Sequence, residues 1–161
     1  MFRMTKLTDY GIVLLTHFAS HQDRVAHTAR ELAAETHLPL PTVGKLLKKL
    51  SHEGLLVSHR GTKGGYSLAL PPRQINMATV IAVLEGPVSV TECHEPGVCE
   101  HESFCSVRTN WQVVNRTVRA ALEGLTLADM TRPLGTRLWG LTGVGSPAGD
   151  PQPETARNPM S

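Results

Sequence analysis

Two prolines divide the segment HTARELAAETHLPLPTVGKLLKKLSHEGLL, residues 27–56, and constrain its fold more than any other feature. Pro39 and Pro41 lack the backbone N–H that a helix interior needs, and each pushes the residue before it toward extended backbone. One continuous helix is therefore excluded. Upstream, Thr28 stands three residues before Glu31, the spacing of a reciprocal capping box. That box opens a short helix through Leu32 and Ala33, which ends near His37. Downstream, Pro41 and Thr42 open a second helix, because proline is tolerated in a first turn. Val43, Leu46, Leu47 and Leu50 make its apolar stripe, while Lys45, Lys48, Lys49 and His52 fall mostly on the other side. Gly54 stops it. Two short helices joined by a tight turn, the second basic on its outer face, form a helix-turn-helix pattern.

The next residues, LLVSHRGTKGGYSLALPP, predict a β-hairpin: a strand from Leu55 to His59, a turn from Gly61 to Gly65 and a strand from Tyr66 to Leu70. Arg60 and Lys63 sit at its tip. The expected fold class is thus mainly α with a small β-hairpin wing, a winged helix-turn-helix followed by a long dimerisation helix. Lysines on one helix face are ordinarily just solvated. The ordered series of cap, helix, turn, basic helix and basic hairpin points instead to double-stranded DNA. Thr42, Gly44, Lys45 and Lys48 would enter the major groove, with Lys49 on a phosphate, and Arg60 and Lys63 would reach a phosphate or the minor groove. The GTKGG run lacks the spacing of a phosphate-binding loop and no helix follows it, so a tight turn explains its glycines.

Before this region, Leu7, Tyr10, Leu14 and Phe18 step at helical spacing, with Thr5 or Thr8 as cap and Asp9 where the helix dipole favours an anion. After it, INMATVIAVLEGP reads as a helix from the cap Asn76 to Gly86. Phe104, Val107, Trp111, Val114, Val118, Ala121 and Leu125 then step by three and four, a heptad seam over about three repeats. So narrow a seam requires a partner helix, and a homodimer is expected. Leu125 to Met130 adds a helical turn. The expected organisation is a DNA-binding domain over 1–72, a metal loop and dimerisation helix over 73–131, and a disordered tail over 132–161. No apolar stretch approaches the roughly 18 residues of a membrane span, and the charge-free run from Tyr10 to Thr16 is too short for a signal-peptide core. A cytoplasmic, soluble protein without membrane contact is expected. The net charge of +2 is too small to imply a polyanion by itself, so the argument rests on where the cations sit.

All three cysteines, Cys93, Cys99 and Cys105, lie in TECHEPGVCEHESFCSV with spacing C-x5-C-x5-C. In a reducing compartment such clusters are metal ligands or redox groups more often than structural disulfides. Thiolates suit an iron–sulfur cluster with one further ligand. A single disulfide switch, a zinc site using His94 or His101, and unligated thiols remain the alternatives, although the paired knuckles typical of zinc are missing. His17, His21, His27 and His37 read as scattered surface or capping residues. No nucleophile–base or paired-carboxylate motif stands out, and an enzyme is not expected.

The stretches KLTDYGIVLL and LPLPTVGKLLKKLSHEGLLVSHRGTKGGYSL, together with the cysteine loop, resemble the family of iron–sulfur-cluster-sensing winged-helix repressors. The resemblance covers residues 2–131, and FRMTKLTDYG is most similar to the branch that regulates the SUF cluster-assembly system. It implies a dimeric regulator that holds a [2Fe–2S] or [4Fe–4S] cluster with Cys93, Cys99 and Cys105 and binds palindromic promoter DNA. One branch uses a histidine three residues after the last cysteine, where this chain has Arg108. Another uses an aspartate near the start of the first helix, reaching across to the partner subunit's cluster; Asp9 occupies that place. His94, His101 and an exogenous ligand stay open beside it. An acidic residue that discriminates operators in the first branch is replaced here by Gly44.

Overall fold

The structure, a computed structural model, describes residues 4–23, 26–61, 64–91, 100 and 104–132. Helix α1 spans Lys6–Ser20, α2 Ala29–Thr36 and α3 Leu40–His52. Strands β1 (Leu56–His59) and β2 (Gly65–Leu68) pair antiparallel, with Leu56 opposite Leu68 and His59 opposite Gly65. A 3-10 turn at Pro72–Gln74 leads into α4 (Met77–Glu85), and α5 (Arg108–Glu123) and α6 (Leu127–Met130) follow. The strands are shorter at their outer ends than the residue pattern predicts, and the fold is the expected mainly helical one with a two-stranded wing.

Local signals set the helix ends. Thr5 Oγ1 accepts from the Thr8 amide at the start of α1, so Thr5 rather than Thr8 is the cap. Both halves of the Thr28–Glu31 capping box form at α2. His37 then adopts the left-handed conformation, φ 57°, and closes the turn before Pro39 caps α3 through its backbone. Gly54 ends α3 with φ +77°, a conformation that costs a residue with a side chain more than it costs glycine.

The α3 stripe of Val43, Leu46, Leu47 and Leu50 is fully buried against Leu14 and Leu15 of α1 and Leu32 of α2. Ile75, Val80 and Leu127, all beyond residue 72, belong to the same core. The chain returns to that core through a backbone pair: Met77 N–H donates to Leu125 O and Leu127 N–H to Ile75 O, each at 2.8 Å. α6 is capped by a second reciprocal box, between Thr126 and Asp129. α5 differs from the other helices, since Asn115 is its one buried residue. Among the described residues no helix is long and apolar enough to cross a membrane. The tail expected beyond Arg132 lies outside the described residues.

Candidate nucleic-acid interface and metal-binding loop

Burying Val43, Leu46, Leu47 and Leu50 rotates the opposite side of α3 outward, because a helix repeats every 3.6 residues. Lys45, Lys48 and His52 are exposed on that side, and Thr42 is half-buried in the first turn. Gly44 borders open space: a Cβ placed there meets no atom within 4 Å. Lys49 does not join this group. It lies on the flank of α3, half-buried, and its Nζ donates to Leu84 O at 3.0 Å, the penultimate carbonyl of α4. Arg60 is exposed at the end of β1, and Lys63 lies outside the described residues.

Leu56 joins the wing to the core of the helix-turn-helix, and a backbone pair adds a close contact. His27 N–H donates to Tyr66 O at 2.9 Å and Tyr66 N–H to His27 O at 2.8 Å. Gly65 permits this approach, since a Cβ there would lie 2.6 Å from His27 O. His59 Nε2 and Ser67 Oγ hydrogen-bond at 2.7 Å and join the two strands on one face.

Of the expected metal ligands, Cys105 is a free, half-buried thiol just before α5, and Asp9 is exposed in the first turn of α1. Cys93, Cys99, His94 and His101 lie outside the described residues. The flanks of the loop are held by residues that sequence reasoning passed over. Asn115 Oδ1 accepts from Val90 N–H at 2.8 Å, and its Nδ2 donates to Thr91 Oγ1 at 3.2 Å, two residues before Cys93. Glu85, the last residue of α4, accepts on one carboxylate oxygen from Thr5 N–H and Thr8 Oγ1, both at 2.6 Å. Those two bonds, the Thr8 hydroxyl first, hold the Glu85 carboxyl below the usual glutamate range. A signal for both residues existed. An acid at a helix C-terminus opposes the dipole, and an asparagine within a helix disfavours it, so each invites a search for a compensating partner.

The heptad seam is shorter than its residue spacing suggests. Phe104 and Val107 precede α5, and Leu125 follows it and packs on the core. Within the helix Trp111 is 38 % and Val114 40 % exposed, and Phe104, at 93 %, extends the apolar surface.

His21 and His37 cap the ends of α1 and α2 as expected, but three of the four histidines are not scattered. His17, His21 and His27 converge between α1 and the start of α2: the His17 and His21 rings stack at 4.2 Å, and His27 meets Phe18 edge-on at 5.0 Å. His17 Nε2 contacts Glu35 Oε2 at 2.8 Å. Burial, and then the neighbouring His21, hold the His17 imidazole below its usual value. Charged-residue spacing gave no hint of this, because His27 reaches the others only through the fold.

A basic second helix, a β-wing and helix-turn-helix packing define a winged-helix regulator. The chain belongs to the Rrf2 family, described as "Iron-dependent Transcriptional regulator", which matches residues 4–133. It is 30% identical over 142 residues to the HTH-type transcriptional repressor NsrR of Streptomyces coelicolor, covering 87% of this chain and 96% of that protein. The HTH-type transcriptional regulator IscR of Aliivibrio salmonicida is 26% identical over 128 residues, covering 80% of this chain and 76% of the relative. Among solved structures, CymR, the global cysteine regulator of B. subtilis, superposes with TM-score 0.65 at 27% identity, covering 81% of this chain and 97% of CymR. IscR of T. potens superposes with TM-score 0.62 at 28% identity, covering 80% and 85%. The relatives are transcriptional regulators, not enzymes.

Proposed function

We propose that this chain is an iron–sulfur-cluster-dependent transcription repressor that binds palindromic promoter DNA as a homodimer. Cys93, Cys99 and Cys105 would hold the cluster, with Asp9 supplied across the dimer as the fourth ligand. The donor set suits iron: Cys105 is a free thiol, and the Asp9 carboxylate makes no hydrogen bond or ion pair among the described residues. Soft thiolates with one hard oxygen ligand make a cluster whose fourth position is easily exchanged, which is what a sensor needs.

The observation that carries the reading is the anchoring of α4. The helix that feeds the cysteine loop ends on both functional partners: Glu85 grips the α1 N-terminus that bears Asp9, and Leu84 O takes the ammonium of Lys49 from the basic helix. A change of tension in the loop therefore reaches α1 and α3 without crossing solvent. Thr42, Lys45, Lys48, Arg60 and Lys63 are the proposed DNA contacts; Lys49 serves to seat α3 on α4. Residues 1–72 read DNA and 73–131 carry the loop and the dimer helix, sharing one core. Control of iron–sulfur assembly genes follows from the resemblance of the N-terminal FRMTKLTDYG stretch.

Iron and acid-labile sulfide analysis of anaerobically purified protein, paired with a gel shift on a palindromic promoter fragment, tests this. Iron and sulfide with cluster-dependent retardation of DNA is the expected result. A protein that holds only zinc after anaerobic reconstitution, or whose DNA affinity ignores the cluster, refutes it. Asp9→Ala should shorten the lifetime of the reconstituted cluster, and an unchanged lifetime removes Asp9 from the ligand set.

A further inference from the structure

His17, His27 and Glu35 come from α1, from the residue just before the α2 cap, and from the last turn of α2. One ring nitrogen of each histidine and a Glu35 carboxylate oxygen lie within 4.8 Å of one another. His27 is 2 % exposed. Its Nε2 lies 3.4 Å from His21 O, and a carbonyl can only accept, so that nitrogen carries the proton. The other nitrogen, Nδ1, then presents a lone pair, and no donor meets it. A buried acceptor without a donor is rare in a folded protein. An imidazole with one N–H on a backbone carbonyl and its other nitrogen buried without a partner, beside a histidine and a carboxylate, is in the state of a metal-ligating histidine.

We propose that His17, His27 and Glu35 form a second metal site, separate from the cysteine loop, for a divalent cation of the Zn2+ class. Imidazole and carboxylate are the donors such a cation takes, at about 2.0–2.2 Å. Tetrahedral ligation at those lengths brings donor atoms to about 3.4 Å from each other. His17 Nε2 and Glu35 Oε2 are already closer than that, so the His27 nitrogen makes most of the adjustment. Burial and His21 favour the neutral form of His17, which is the form that ligates. Glu35 is exposed near the end of α2 and opens the site to solvent, and water would complete the shell of the ion.

The site has a structural consequence. The His27 backbone is bridged in both directions to Tyr66 of the wing. A cation shared by α1, His27 and α2 would therefore fix the wing against the helix-turn-helix that it must accompany onto DNA.

Zn2+ titration of the full-length chain by calorimetry tests the proposal, first with Cys93, Cys99 and Cys105 all changed to Ser. That background separates this site from the proposed cluster site. One Zn2+ should bind per chain, and Glu35→Gln should weaken it at least about tenfold with unchanged helix content. Absence of stoichiometric binding, or equal affinity in Glu35→Gln, overturns the proposal. Should the serine chain fail to fold by circular dichroism, the intact chain decides. There Glu35→Gln must take up one Zn2+ fewer than the wild type, and an equal uptake overturns the proposal.

Discussion

Lys48 and Lys49 carry the same charge on consecutive positions, and the turn of α3 sends them to different surroundings. Lys48 faces outward beside Lys45, while Lys49 is drawn along the flank to Leu84 O. A cation there is stabilised by the C-terminal dipole of α4, an effect of about 0.3–1 kcal/mol for exposed geometry. The two lysines should separate in experiment. Lys48→Ala should reduce the salt dependence of DNA binding by about one unit of slope, as the loss of one phosphate contact does. Lys49→Met should leave that slope unchanged and lower the thermal midpoint. If Lys49→Met also flattens the slope, the ammonium reaches DNA and the contact with α4 is secondary. A sequence reading assigned both lysines to DNA because helical periodicity gives a direction around the axis and says nothing of which neighbouring helix stands on the flank.

The elements divide into those that satisfy themselves and one that does not. α2 and α6 carry complete capping boxes, and α3 buries its whole apolar stripe. α5 leaves Trp111 and Val114 exposed with Val107 and Phe104 beside them, while Asn115 faces inward and holds the start of the cysteine loop. An apolar strip of that shape fits a second copy of the same helix. Trp111→Glu would place charges opposite each other at the centre of the seam. Light scattering should then report a monomer while circular dichroism shows intact helices; a dimer that survives would place the interface elsewhere. The seam was legible from the three- and four-residue steps of its apolar residues. Its ends were not, since the same spacing continues through Phe104, Val107 and Leu125, and only hydrogen bonding decides where a helix stops.

On the scale of the whole molecule, α4 is the hub. It lies under α1 by Glu85, against α3 by Lys49, and leads into the cysteine loop. A dimer of winged helices reads half-sites about 34 Å apart, so a small change in how α1 and α3 sit on α4 alters affinity. Couplings of about 1–3 kcal/mol between sites correspond to roughly 5- to 150-fold in affinity. The Glu85 link is pH-dependent with a definite sign. Its folded carboxyl titrates below the ordinary glutamate value, so its contribution is present above that value, about 4.3, and is lost as pH falls through the folded one. Thermal unfolding of wild type and Glu85→Gln should therefore differ at neutral pH and converge in acid as pH falls through the lowered folded value. A difference that stays constant across that window would assign the stabilisation to the shape of the side chain and not to its charge. The sequence alone determined the helix-turn-helix, the wing, the capping box of α2 and the cysteine spacing, because each rests on interactions within a few residues: proline geometry, a capping side chain three positions away, a glycine in a turn. Tertiary structure alone decided that Lys49 seats α3 on α4, that Glu85 holds α1, that Asn115 pins the loop, and that three histidines meet beside Glu35. Apart from the His17–His21 stack, those contacts join residues from 6 to 80 positions apart, whose meeting depends on how the buried stripes of several helices pack around one core.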